Sequence, residues 1–167
     1  MSERGTEWLP ALVELRESEG DWERYVELLH GFFRADFIDS VPSYPGKRWA
    51  MKRHPKHRGK EATFWHIISE GPDEAERLPD LRRCERIRWP RAIIDRCRTG
   101  PVLAWAQQRG RDQRIVLALP DFSYVVVLAD RGEYVLLWTA FPVEREHRRR
   151  KLEREYRDWS RAEGGKR

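Results

Sequence analysis

Apolar residues recur along this chain in two rhythms. Trp22, Tyr25, Val26, Leu29, Phe32 and Phe33 fall at i, i+3, i+4, i+7, i+10 and i+11, one continuous stripe on an α-helix. Asp21 stands where an N-cap is needed, and the turn-rich Val41-Pro42-Ser43-Tyr44-Pro45-Gly46 follows. The helix is therefore expected to end near Ile38 and to pack on a sheet. A shorter helical piece is expected over about Glu7–Glu17, with Trp8, Leu12 and Leu15 on one side and Gly20 closing it. In the last third the rhythm changes to β-branched and aromatic runs. Val102–Gln107, Arg114–Leu119, Tyr124–Ala129 and Tyr134–Phe141 read as strands separated by turn signals. Asp130-Arg131-Gly132-Glu133 reads as a tight hairpin turn, and a two-residue loop there sets Tyr124 opposite Thr139 and Val126 opposite Leu137. A bulge at Gly132 would move that register by one.

Between these regions Lys47–Lys60 reads as an irregular basic loop with a short strand near Arg48–Lys52. Thr63–Ser69 reads as a strand bounded by Gly71-Pro72, and a helical stretch runs from about Pro79 to Arg98, kinked near Pro90 and ended by Thr99-Gly100-Pro101. A last helix is expected from about Glu144 to Arg161, with a narrow apolar stripe of Leu152, Tyr156 and Trp159. Glu146/Arg150, Arg149/Glu153, Lys151/Glu155 and Arg154/Asp158 are its i,i+4 pairs. Gly164-Gly165-Lys166-Arg167 reads as a frayed tail. The fold class implied is α+β: N-terminal helices packed on a four- to five-stranded, mainly antiparallel sheet, with a C-terminal helix. One domain over 1–167 is expected, an acidic helical segment (1–40) leading into a body of basic loop, sheet and helix (41–161).

Composition supports a real core: 40% of the 167 residues are hydrophobic, and eight are Trp. Cys84 and Cys97, thirteen apart, make neither a disulfide framework nor a zinc set, so both are expected as reduced thiols. His54 and His57 flank Pro55 without a third ligand nearby, so no metal is expected, and no cofactor. A Gly-rich phosphate loop and a Gly-x-Ser-x-Gly elbow are both absent from the sequence. The first residues carry no apolar leader and no stretch reaches membrane-span length. The expectation is a cytoplasmic protein with no membrane partner.

The net charge of +5 hides a strong segregation. Residues 1–40 hold four Lys/Arg against ten Asp/Glu. Residues 41–60 hold seven (Lys47, Arg48, Lys52, Arg53, Lys56, Arg58, Lys60) against none. Such a stretch suits a polyanion, and RNA is the expected partner. Arg48, Lys52 and His54 are the candidate RNA contacts, joined by Tyr124 if the tight hairpin sets its hydroxyl beside Thr139. Cleaving RNA without a metal needs a base for the 2′-OH, an acid for the 5′-oxygen, and donors that hold charge on the pentavalent phosphate. His66, directly after Lys60 and the basic loop, is the first candidate for proton transfer. Among Arg82, Arg83, Arg86, Arg88 and Arg91, Arg86 is the favoured phosphate contact. The alternative for His66 is a structural histidine at the core rim. The alternative for the Arg145–Lys151 run is a solvated helix face.

The basic loop, the stretch Gly59-Lys60-Glu61-Ala62-Thr63-Phe64-Trp65-His66 and the late Trp138-Thr139-Ala140-Phe141-Pro142-Val143 before a helix resemble the phage-associated branch of the barnase–EndoU–colicin–RelE-like ribonucleases. That resemblance spans about Lys47–Trp159 and leaves the first forty residues unexplained. It implies helices on a four-stranded antiparallel sheet and metal-free RNA cleavage to a 2′,3′-cyclic phosphate. It further implies a role as a toxin in conflict between phage, bacteria and mobile elements, with an antitoxin or immunity protein as partner. The catalytic set it implies is an early His, a Lys or Arg, and a Thr on a late strand: His66, Lys60 or Arg86, and Thr139. Two competing expectations stand beside it: a non-catalytic nucleic-acid-binding or regulatory protein, and a protein-interaction module docking through its acidic helices or aromatic stripe.

Overall fold

A computed structural model describes residues 6–73, 76–98 and 100–164; Thr99 and the tail residues Gly165, Lys166 and Arg167 lie outside them. The stripe at Trp22–Phe33 becomes helix α1 (Trp22–Phe37), capped by the Asp21 carboxylate, which accepts from the Arg24 N–H at 3.2 Å. Tyr25, Val26, Leu29, Phe33 and Phe37 are its buried face. Each such side chain contributes roughly 1.5–3 kcal/mol on burial.

The segment before α1 is a correction. Instead of a helix over Glu7–Glu17 there is one 3-10 turn, Leu15–Ser18. Pro10 lacks an N–H, and the neighbouring backbone bonds elsewhere. Val13 N–H donates to Glu85 O at 2.9 Å, and Tyr25 Oη donates to Val13 O at 2.6 Å. This stretch is a strap tied across the helices.

The main sheet has five strands: β1 (Arg48–Ala50), then, after a separate two-stranded ladder of β2 (Ser69–Glu70) and β3 (Leu78–Pro79), β4 (Leu103–Arg109), β5 (Asp112–Ala118), β6 (Tyr124–Asp130) and β7 (Tyr134–Pro142). The order is β1-β7-β6-β5-β4, antiparallel except for β1, which runs parallel to β7. The fold is thus α+β with a mainly antiparallel sheet, as the patterning implies.

The hairpin register differs from expectation. Arg131 N–H donates to Tyr134 O at 2.9 Å, so the loop is Gly132-Glu133. Gly132 (φ +87°) takes the first loop position, where a type II′ turn needs positive φ. Asp130 Oδ1 accepts the Gly132 N–H at 2.9 Å, which draws Asp130 into the strand. A bulge then follows: Leu128 pairs with Leu137 but Val127 with Thr139, leaving Trp138 as the extra residue. Tyr124 consequently lies opposite Pro142, and Val126 opposite Ala140.

The expected long helix from Pro79 is two short ones, α3 (Leu81–Glu85) and α4 (Trp89–Asp95). Pro90 lies in the first turn of α4, where its missing N–H costs nothing, so it starts a helix rather than kinking one. Helix α5 (Glu146–Gly164) closes the chain, with the expected Glu146–Arg150 pair at 3.1 Å and a Glu153–Arg157 pair at 2.6 Å.

Two apolar clusters sandwich the sheet. The larger joins α1, α3 and α4 to Leu117, Tyr124, Val126, Leu128 and Leu137. The smaller, on the other face, holds Trp105, Val116, Phe122 and Val125 under Leu152, Tyr156 and Trp159 of α5. Cys84 is buried and its thiol pushed up to about 12 by burial, first, and by Asp80 and Glu85 nearby; Cys84 and Cys97 are both free thiols. Among the described residues no helix is long and apolar enough to cross a membrane.

Candidate active site and nucleic-acid interface

Thr63–Ser69 is a helix, not a strand: α2 (Ala62–Ile68) carries His66. Its buried residues Thr63, Phe64, Ile67 and Ile68 recur at i, i+1, i+4 and i+5, a helical face that the aromatic and β-branched composition masks. No side chain caps it. Its first donors go instead to the loop backbone: Ala62 N–H to Arg53 O at 3.0 Å, Thr63 N–H to Lys52 O at 3.2 Å, and Thr63 Oγ1 to Lys52 O at 2.8 Å. At the other end two arginines take up carbonyls. Arg77 Nη2 donates to His66 O at 2.8 Å, and Arg83 Nη1 donates to Ser69 O at 2.8 Å. Cationic donors at a helix C-terminus are favourably placed, and here they fix the backbone that presents His66.

The basic loop is ordered by its own turn. His57 and Lys60 exchange backbone hydrogen bonds at 3.0 Å each way, around Arg58 (φ +52°) and Gly59 (φ +75°). Both central residues have the positive φ of a type I′ turn. For arginine that conformation costs roughly 1–2 kcal/mol, and it holds Arg58 at the loop tip. Lys60, buried except for 8% of its surface, pairs with Glu27 of α1. That hydrogen bond, with the lysine charge, holds the Glu27 carboxyl below its ordinary range. Glu61 pairs with His30 at 2.7 Å. Burial opposes ionisation of Glu61, but the bond from His30, a backbone N–H and the charges of His30 and Lys56 outweigh it and lower its pKa. Lys47 is tied to Asp130 at 2.6 Å and Arg48 to Glu133 at 3.5 Å. Among the described residues Lys52, Arg53, Lys56 and Arg58 pair with no carboxylate, and all four are exposed, as is His54.

Two hollows flank His66. The larger, about 830 Å³, is a cleft between α1, the basic loop, α2 and β3; Lys60, His57, Arg58, Arg77 and Ser69 share it with the imidazole. The smaller lies along β7, between Lys52, Thr63, Leu136 and Trp138. His66 and Ala62 line both. The His66 and Trp138 rings stand 5.9 Å apart, and Arg114 of β5 lies over the Trp138 ring at 5.6 Å. Thr139 follows Trp138. Being opposite Val127, it lies on the sheet face of Val125 and Phe141. α5 packs on the β4 side of that face, while Leu136, Trp138, Thr139 and Arg114 remain half-buried.

The structure therefore brings His66 and Lys60 to one cleft and sets Thr139 one residue from a ring His66 touches. It does not bring Arg86 or Tyr124 there. Arg86 stacks on Trp89 at 5.1 Å and donates to Arg82 O at 3.0 Å. Tyr124 is 2% exposed against Trp89, in the larger core cluster, and burial raises its phenol pKa; it is a core aromatic and not an RNA contact. Arg77, Arg114 and Trp138 are the residues sequence reading missed. Arg77 directly precedes β3 and Arg114 is the third residue of β5, and only the true β7 register puts Trp138 beside Arg114. No family model, curated protein or solved structure matches this chain.

Proposed function

We propose that the protein is a metal-independent endoribonuclease working at His66, in the cytoplasm. The observation that carries this reading is the position of that imidazole, which forms a wall of both the cationic cleft and the hollow lined by Lys52, Leu136 and Trp138, the residue before Thr139. An RNA strand held by Lys52, Arg53, Lys56 and Arg58 would pass His66 over the edge of β7 onto the open sheet face. One imidazole takes the 2′-OH proton while O2′ bonds to phosphorus. The P–O5′ bond breaks, and a second acid protonates the departing oxygen. The products are a 2′,3′-cyclic phosphate and a 5′-hydroxyl. His57, in the same cleft, is the second proton carrier. Thr139 Oγ1 and Arg114 are the donors for the phosphoryl oxygens.

The test is incubation of total RNA with purified protein in EDTA. Wild type should cut RNA, and His66→Ala should lose cleavage by about 100-fold or more, the scale of general acid–base catalysis, with an unchanged thermal melt. Full activity in His66→Ala removes the imidazole from the mechanism. Growth arrest on expression, relieved by the same substitution, would mark a toxin. One observation favours binding without cleavage: the cation nearest His66 in sequence, Lys60, is neutralised by Glu27. That second reading predicts salt-sensitive binding with RNA left intact.

A further inference from the structure

We propose that the 830 Å³ cleft is a seat for one unpaired nucleobase, so that the protein selects single-stranded RNA over duplex. This deepens the RNA reading above and rests on it. The volume falls among ligand sites of roughly 300–1,000 Å³, far more than a lone phosphate needs.

The charge across the cleft is polarised. His57 and Arg58 lie on the loop side and Glu23 on the α1 side, while Lys60 and Glu27 are paired with each other and Arg77 is bonded to the carbonyls of His66, Ser69 and Gly71. Phosphates are drawn to the loop rim and repelled from α1, so the part of a nucleotide directed inward is its base. The rings to receive it are in place. Trp65 is fixed by its Nε1–H donating to His57 O at 2.8 Å, and its ring meets the His57 ring at 71° with centroids 5.5 Å apart. Two such rings make a rigid corner, one face to stack on and one edge to abut. Trp22, 38% exposed at the start of α1, supplies a second indole to the same cleft. Unstacked bases on fixed aromatic rings are the usual means of single-strand recognition, and a base held in a duplex cannot enter a cleft of this kind.

A fluorescent 2′-O-methyl oligonucleotide of about a dozen residues cannot be cleaved by 2′-OH attack, so its anisotropy reads binding alone. At fixed salt the single strand should bind at least about tenfold more tightly than the same strand annealed to its complement, the scale of one stacked base. Abasic residues in the strand should lose most of that margin. Trp22→Ala should reduce it without lowering duplex binding, and Trp65→Phe should retain part of it. Lys52→Ala, outside the cleft, should weaken both forms alike. Equal affinity for strand and duplex, or full affinity for the abasic strand, overturns the base seat and leaves the nuclease proposal standing. Single-strand preference together with uncut natural RNA does the reverse.

Discussion

Glu27 and Glu61 hold the end of the basic loop against α1, one through Lys60 and the other through His30. Their surroundings differ. The Glu27 side chain is 68% exposed and its partnership is screened by water, while the Glu61 and His30 side chains are 9% and 12% exposed, the His30 ring lying against Phe33 and Phe64. Glu61 is the residue whose loss should be felt. Because folding lowers its pKa from 4.5, its contribution is complete above that value and is lost as pH falls through the lower folded value. Thermal melts of the wild type should therefore drop on acidification below about pH 4.5. Glu61→Gln should cost about 1 kcal/mol at neutral pH and show a shallower acid limb. An acid limb as steep as wild type would place the sensitivity in other carboxylates, such as Asp130 beside Lys47.

Helix α1 is legible because it buries one continuous stripe, and the four long strands because their β-branched and aromatic runs are bounded by turn signals, whether buried on both faces as in β6 or mostly half-exposed as in β4. Helix α2 is not legible. Its seven residues are too short for periodicity to outvote Phe-Trp-His-Ile-Ile, and its N-terminal donors are met by Lys52 and Arg53 carbonyls that no local signal announces. The register of β7 fails for a related reason. The turn slid to Gly132-Glu133 once Asp130 bonded the glycine N–H, and the bulge at Trp138 leaves no sequence mark. Of the site, the basic loop and His66 could be read, whereas the neighbourhood of Thr139 depended on that bulge. The bulge also makes a test. Thr139→Val keeps shape and removes one donor on a half-exposed face, so cleavage should fall about 100-fold with melting unchanged. Unchanged cleavage would move the chemistry off the sheet and into the cleft.

Across the whole molecule the folded charges are less free than the sequence suggests. Of the seven cations between Val41 and Lys60, Lys47 and Lys60 are held in ion pairs with their own side chains largely covered, and Arg48 meets Glu133 in an exposed one. Lys52, Arg53, Lys56 and Arg58 are left for a ligand. RNA affinity should therefore fall linearly with log salt, and neutralising each of the four should reduce the slope by about 0.7, the single-strand value per phosphate contact. Neutralising Lys47 should leave the slope nearly unchanged. Affinity measured from 50 to 300 mM salt separates the two groups, and an equal effect from all five would mean that the ion pairs open on binding.

The strongly acidic first forty residues look, by charge alone, like something that would keep a polyanion away. Folded, their helix α1 is the jamb of the doorway: Glu27 grips Lys60, and Trp22 and Val26 form the far post. A chain begun after residue 40 would not be an unrestrained version of this protein. It would have lost the frame against which any guest must be pressed.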